Sequence, residues 1–256
     1  MTRMPQRGPA GRAPIAVALD APDLPTAAAW AAALCPEVST LKVGLESYLR
    51  DGADGIAAIR GAMAANPCAL FLDLKLHDIP ATVAGAARSV ARLEPDFLTV
   101  HASGGEAMIA AAAEALPQTR IVAVTVLTSL AQDDLSAIGL RGPAQEAAVR
   151  LAELAVRAGA RALVCSPQEV AAIRRAVGPD PVLITPGVRP AGSAAGDQAR
   201  IATPREAMEA GADLLVIGRP ITGALDPARA AADIAAQIAG ADDRHDQDPP
   251  DHHGTA

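Results

Sequence analysis

The sequence predicts one (β/α)8 TIM barrel of the α/β class, from three observations: a length of 256 residues, eight short apolar runs, and helical periodicity between them. About 250 residues is the usual size of one such barrel and is enough for a full core. The runs lie at 15–19, 41–45, 70–76, 97–101, 121–127, 162–165, 182–184 and 214–217. Each has the length of a strand, and most are rich in branched residues or bounded by Gly, Pro or Asp. Eight runs exceed the five or six strands of an open doubly wound sheet, which is the minor alternative.

Before the first run, residues 1–13 hold Gly, Pro and Arg without periodicity and read as a flexible tail. The helix ahead of the sixth run shows its period clearly. Leu151, Leu154, Ala155 and Ala158 share one face, and Gly159 follows as a stop. One echo supports a repeated βα unit: Ala158-Gly159-Ala160 leads into Leu163-Val164 as Ala210-Gly211-Ala212 leads into Leu215-Val216. The barrel is therefore expected over 14–240. Residues 241–256 are dominated by Asp, His, Pro and Gly, too polar to join a core, and read as a disordered tail. His245, His252 and His253 fall there and are expected to be solvated rather than to bind metal.

Half of the residues are apolar but only 2% are aromatic, so the core is expected to consist of Ala, Val, Leu and Ile. A formal charge of −7 offers no basic footprint and argues against a nucleic-acid partner. Cys35, Cys68 and Cys165 are widely spaced and odd in number. They suit neither a zinc site nor a disulfide framework, and fit a reducing cytoplasm. No apolar run reaches about 18 residues and the N-terminus has no signal-peptide pattern, so no membrane association is expected.

In such a barrel, functional residues gather at the C-terminal ends of the strands. Strand 1 ends in Asp20, strand 2 carries Lys42, and strand 3 carries Asp73 and Lys75, with Asp78 just beyond. Strand 4 ends at His101, and strand 5 runs into Thr128 and Ser129. Strand 7 meets Pro186-Gly187-Val188-Arg189, and strand 8 ends in Gly218-Arg219. Asp73 and Lys75 are two apart, so on a regular strand they share a side, while Leu72, Leu74 and Leu76 face the helices. Opposite charges inside a barrel mouth are costly unless paired. Lys42 on the neighbouring strand supplies a second ammonium, and pairing would keep Asp73 ionised. His101 and His77 are expected to be structural. Trp30, Tyr48 and the methionines are expected to serve helix packing, and the cysteines to be small core residues.

Asp73-x-Lys75-x-x-Asp78, within FLDLKLHDIPATV, closely resembles the signature of the orotidine 5′-phosphate decarboxylase family. Its other landmarks follow in order: VALD at Asp20, LKVG at Lys42, TVHASGG at His101, LTS at Thr128, TPGVR at Arg189 with Gln198 nine residues on, and IGRPIT at Arg219. The resemblance implies decarboxylation of orotidine 5′-phosphate to uridine 5′-phosphate in pyrimidine biosynthesis, without a cofactor or metal. It implies that Lys75 protonates C6, that Asp73 lies beside the departing carboxylate, and that Lys42 partners Asp73 and touches the ribose. It further implies a homodimer in which Asp78 and Thr82 reach the neighbouring site. Asp20 is implied to bind ribose hydroxyls and Thr128 the nucleotide, with Ser129 a further pyrimidine contact. Arg189, Gln198, Gly218 and Arg219 are implied to close over the phosphate.

Independent chemistry agrees. A carbanion that the ring cannot delocalise must be stabilised electrostatically, and a fixed ammonium does this while standing ready to donate a proton. Loops after strands 7 and 8 form the common phosphate site of these barrels. Gly187, Gly192 and Gly196 would let the strand-7 loop act as a lid. Two alternatives stay open. One is a magnesium-dependent sugar-phosphate decarboxylase or aldolase of the same superfamily, which would normally carry an acidic ligand where Lys42 stands. The other is an inactive barrel that only binds a nucleotide phosphate.

Overall fold

A computed structural model describes residues 11–189 and 202–240. Eight parallel strands close in sequence order: β1 (Ala13–Ala18), β2 (Val38–Gly44), β3 (Ala69–Leu76), β4 (Phe97–His101), β5 (Arg120–Val124), β6 (Ala162–Val164), β7 (Val182–Thr185) and β8 (Leu214–Ile217). β1 pairs with both β2 and β8, which seals the barrel and removes any edge. All eight apolar runs fall on these strands, so the (β/α)8 fold stands.

Helices cover the outside: α1 (Leu24–Leu34), α2 (Leu45–Met63), α3 (Pro80–Val90), α4 (Glu106–Ala115), α5 (Gln132–Ala137), α6 (Ala144–Arg157), α7 (Val170–Val177), α8 (Pro204–Glu209), α9 (Arg219–Thr222) and α10 (Pro227–Ala239). Three of them start with the same chemistry. Asp23, Thr203 and Asp226 each accept a backbone N–H from the first turn, and Pro25, Pro204 and Pro227 stand where a helix has no use for an N–H.

The echo read from the sequence is a repeated helix stop. Gly159 and Gly211 take φ of +96° and +106°, conformations that favour glycine. Ala160 N then donates to Ala155 O at 2.9 Å, and Ala212 N to Ala207 O at 3.1 Å. A second echo escaped the sequence reading. Asp96 and Asp213, each just before a strand, accept the backbone N–H of Leu70 and Leu183 on the preceding strand, both at 2.8 Å.

On α6 the apolar face differs from expectation. The fully buried residues are Ala147, Ala148, Ala152 and Ala155, while Leu151 and Leu154 are only partly buried beside them. Small side chains let the helix approach closely, and the larger leucines fill the flanks.

Most of the core lies between strands and helices; Leu72 and Leu74 belong to it, and Leu76, Trp30 and Tyr48 pack against it partly buried. A smaller apolar cluster, including Ala16, Phe71, Phe97, Val122, Ile184 and Leu214, fills the barrel itself. Both phenylalanines of the chain are in it, with ring centroids 5.6 Å apart. The aliphatic core expected from composition thus has an aromatic floor.

All three cysteines are buried, but one expectation about them is corrected. Cys35, at the end of α1, and Cys68, just before β3, form a disulfide with Cα atoms 5.7 Å apart. Their separation of 33 residues carries no spacing signal; they precede β2 and β3, and the parallel pairing of those strands brings them together. Cys165 is free. No helix among the described residues is long and apolar enough to cross a membrane.

Candidate active site

Directly above the aromatic floor, the barrel interior turns from apolar to charged. Lys42 lies two residues above Thr40 on β2, and Asp73 two above Phe71 on β3. Lys42 Nζ lies 3.1 Å from Asp73 Oδ2, and Lys75 Nζ 2.8 Å from Asp73 Oδ1. Lys42 and Asp73 are 8% and 9% exposed, so neither charge can rely on water. Burial alone would push the Asp73 carboxyl up, but the charges of Lys42 and Lys75 outweigh it and hold the group below the usual carboxylate range. Asp20 joins this group from the end of β1. A Cβ on Gly44 would stand 3.2 Å from both Asp20 Oδ1 and Lys42 Nζ, so a larger residue there would crowd both side chains.

Asp73 and Lys75 meet as expected, but not on a regular strand. Lys75 takes φ +49°, one of two non-glycine residues in the left-handed region among those described. Pairing with β4 runs from Leu72↔Leu98 directly to Leu76↔Val100. Asp73, Leu74 and Lys75 therefore bulge against a single residue, Thr99. Its side chain is fully buried. Thr99 Oγ1 accepts the Lys75 backbone N–H at 2.7 Å and donates to Asp73 Oδ1 at 3.2 Å. The sequence reading missed Thr99. Its one signal was alternation with Phe97 and His101 on the inward side of β4.

Alternation also cannot be carried through Lys75 to His77. That residue is exposed, and its ring lies 5.4 Å from the half-buried ring of His101. Burial, followed by the charges of His77 and Lys75, holds His101 below the usual histidine range. His77, Asp78, Ile79, Pro80, Ser103 and Gly104 line an open cavity of about 530 Å³ at this lip.

The remaining described candidates come from other loops and strand ends. Asp78 and Thr82 are exposed, in the loop after β3 and the first turn of α3. Asp78 Oδ1 accepts the Ile79 N–H at 2.6 Å, and among the described residues no hydrogen bond joins it to Asp73. Thr128 and Ser129 occupy a turn after β5, closed by Leu130 N to Leu127 O at 3.1 Å. Arg189 follows β7, and its N–H donates to Ala202 O at 3.0 Å, across the base of the strand-7 loop. Gly218 and Arg219 start α9 at the end of β8. Gln198, Gly192 and Gly196 lie outside the described residues, as do residues 241–256.

Comparison with known proteins gives a consistent result. The model of a family described as "Orotidine 5'-phosphate decarboxylase / HUMPS family" matches residues 13–234. A protein of Thermobifida fusca named orotidine 5′-phosphate decarboxylase is 70% identical over 226 residues, covering 88% of this chain and 96% of that protein. One of the same name from Frankia casuarinae is 58% identical over 247 residues, covering 91% of this chain and 90% of its own. Among solved structures, an orotidine 5′-phosphate decarboxylase from Lactobacillus acidophilus superposes with a TM-score of 0.76 at 35% identity, covering 88% of this chain and 99% of that one.

Proposed function

The chain belongs to the orotidine 5′-phosphate decarboxylase / HUMPS family, and on that premise we propose that it converts orotidine 5′-phosphate to uridine 5′-phosphate and CO2 in pyrimidine biosynthesis. The observation that carries this reading is one buried carboxylate, Asp73, with an ammonium on each oxygen.

The C6–carboxylate bond breaks, CO2 leaves, and its bonding pair stays on C6. Lys75 then transfers a proton from Nζ to that carbon. Its ammonium is already oriented by Asp73, so little reorganisation is needed as charge develops. Attraction between ammonium and C6 grows as the pair localises there, and only interactions that strengthen in this way raise kcat. Lys42 and Asp20 converge beside Gly44 and take the ribose side. Thr128 contacts the nucleotide. Arg189, Gln198, Gly218 and Arg219 take the phosphate, whose binding energy is spent on closing the site.

Two copies complete each site, with Asp78 and Thr82 reaching into the neighbour's. Their exposure supports this. We place the enzyme in the cytoplasm, with the barrel over 14–240.

The direct test is loss of orotidine 5′-phosphate absorbance in buffer treated with EDTA. Turnover that persists supports a metal-free reaction, and its abolition would favour the magnesium-dependent relatives. Lys75→Ala should lose nearly all decarboxylation and still bind uridine 5′-phosphate. A Lys75→Ala enzyme with wild-type turnover would remove Lys75 from the mechanism.

A further inference from the structure

Asp73 holds an ammonium on each oxygen, and one of the two comes from the point where β3 leaves its regular path. There the chain holds Lys75 at φ +49°. A non-glycine residue costs about 1–3 kcal/mol in such a conformation and persists only where its surroundings hold it. The left-handed turn redirects the Lys75 side chain, so that Nζ lies 2.8 Å from a carboxylate only two residues away. It also takes the Lys75 N–H away from the backbone ladder to β4, because the register passes from Leu72↔Leu98 to Leu76↔Val100. A buried N–H without an acceptor is costly, so the bulge needs a replacement for the lost carbonyl.

We propose that Thr99 is that replacement and acts as a positioning residue: its hydroxyl clamps the Lys75 backbone and the Asp73 carboxylate together, and so aims the Lys75 ammonium. The proposal rests on the decarboxylase reading above. A hydroxyl offers one proton and two lone pairs. Thr99 Oγ1 uses a lone pair for the Lys75 N–H at 2.7 Å and its proton for Asp73 Oδ1 at 3.2 Å. That carboxylate oxygen is the one that also receives Lys75 Nζ. Backbone, carboxylate and ammonium thus share one anchor. Thr99 is fully buried, so no water can substitute without space being made for it. A β-branched residue also suits β4, where two groups on Cβ limit rotation about χ1 and fix the direction of the hydroxyl.

A hydroxyl that only filled space would be replaced without loss by a methyl group, and the comparison of threonine with valine therefore isolates the clamp. Thr99→Val keeps the shape and removes both hydrogen bonds. It is expected to lower kcat for orotidine 5′-phosphate by about ten- to hundredfold, the scale of a misplaced catalytic group. KM should change less than about threefold, because Thr99 is fully buried and acts through Lys75 and Asp73. Thr99→Ser, which keeps the hydroxyl and loses the methyl, should recover most of the turnover. If Thr99→Val does not fold, Thr99→Ser and Thr99→Ala make the same comparison, since they differ only in the hydroxyl.

A crystal structure of Thr99→Val gives a readout independent of activity. Lys75 is expected to leave φ near +49° or to move Nζ out of hydrogen-bond reach of Asp73. Wild-type kcat in Thr99→Val would overturn the proposal, as would equal losses in the serine and valine variants. An unchanged Lys75 in the crystal would do the same. A wild-type protein that fails to decarboxylate the nucleotide would sink the functional reading, and the crystal comparison would still decide whether Thr99 holds the bulge.

Discussion

Replacing Asp73 by Asn keeps the size of the side chain and removes the one negative charge between two ammonium groups. At about 3 Å and an effective dielectric near 20, each ion pair is worth roughly 5 kcal/mol of Coulomb attraction before desolvation is subtracted. Removing one partner of a buried pair usually destabilises by about 3–5 kcal/mol, because the remaining charge stays buried and uncompensated. Two cations are stranded here, but Lys75 is 30% exposed and can swing toward water, which keeps the expected loss in that same range. Against a total stability of about 5–15 kcal/mol the variant should still fold. Urea unfolding at pH 7, followed by far-UV circular dichroism, measures the difference. A gap below about 1 kcal/mol would refute the picture of a tightly coupled buried cluster.

The same experiment has a pH signature. Asp73 is held below its usual range in the folded protein, so its contribution is present above the unfolded value of about 3.9 and is lost as pH falls through the folded value. The gap between wild type and Asp73→Asn should therefore stay constant from pH 7 to about 5 and shrink only in stronger acid. A gap that closed near neutrality would mean that some other group carries it. Turnover should fall by at least about a hundredfold, since Lys75 loses its orienting partner.

Other outcomes follow from the same structure. If sites are shared between subunits, mixing inactive Lys75→Ala with inactive Asp78→Ala should restore some decarboxylation through hybrid dimers; no rescue despite confirmed subunit exchange would show that each chain carries a complete site. Denatured without reductant, the protein should titrate one thiol, Cys165, and three after reduction. Closing a loop of this length should contribute about 3–4 kcal/mol by chain entropy, so equal midpoints with and without reductant would contradict the cross-link. His101 is held below its usual range, so stability should fall as pH drops below about 6.5 and the unfolded chain takes up the proton first. His101→Gln should flatten that slope, and an unchanged slope would assign it elsewhere.

Strands and charges were legible because both follow from regular geometry. Apolar runs of strand length mark β1 to β8, and their C-terminal ends gave Asp20, Lys42, Asp73 and Lys75, three of which are joined by direct ion pairs. What escaped depends on departures from regularity or on distant contacts. Period-two alternation assumes an ordinary strand backbone at each step, and Lys75 does not have one. The rule therefore gave the right pairing of Asp73 with Lys75 while concealing the bulge and Thr99. On α6, counting apolar residues favours leucine, but close packing selects alanine for the centre of the contact. Cys35 and Cys68 meet only because the end of α1 returns to the bottom of the barrel near the start of β3. Sequence separation alone cannot show this.

The two layers of the barrel interior explain why the charged cluster can be both costly and useful. Phe71 and Phe97 seal the barrel from below, leaving a dry apolar floor one residue pair beneath Asp73 and Thr99. A floor of this kind strengthens every charge interaction above it and penalises any charge left alone. Lys42 and Lys75 are thus bound tightly to Asp73, each in direct contact with one of its oxygens. A regular strand could hold two of the three groups in line. The bulge at Lys75 brings the third, and Thr99 fixes the bulge. Stability and preorganisation are then consequences of one arrangement: what keeps Asp73 ionised in a dry barrel is also what keeps the Lys75 ammonium aimed at the mouth.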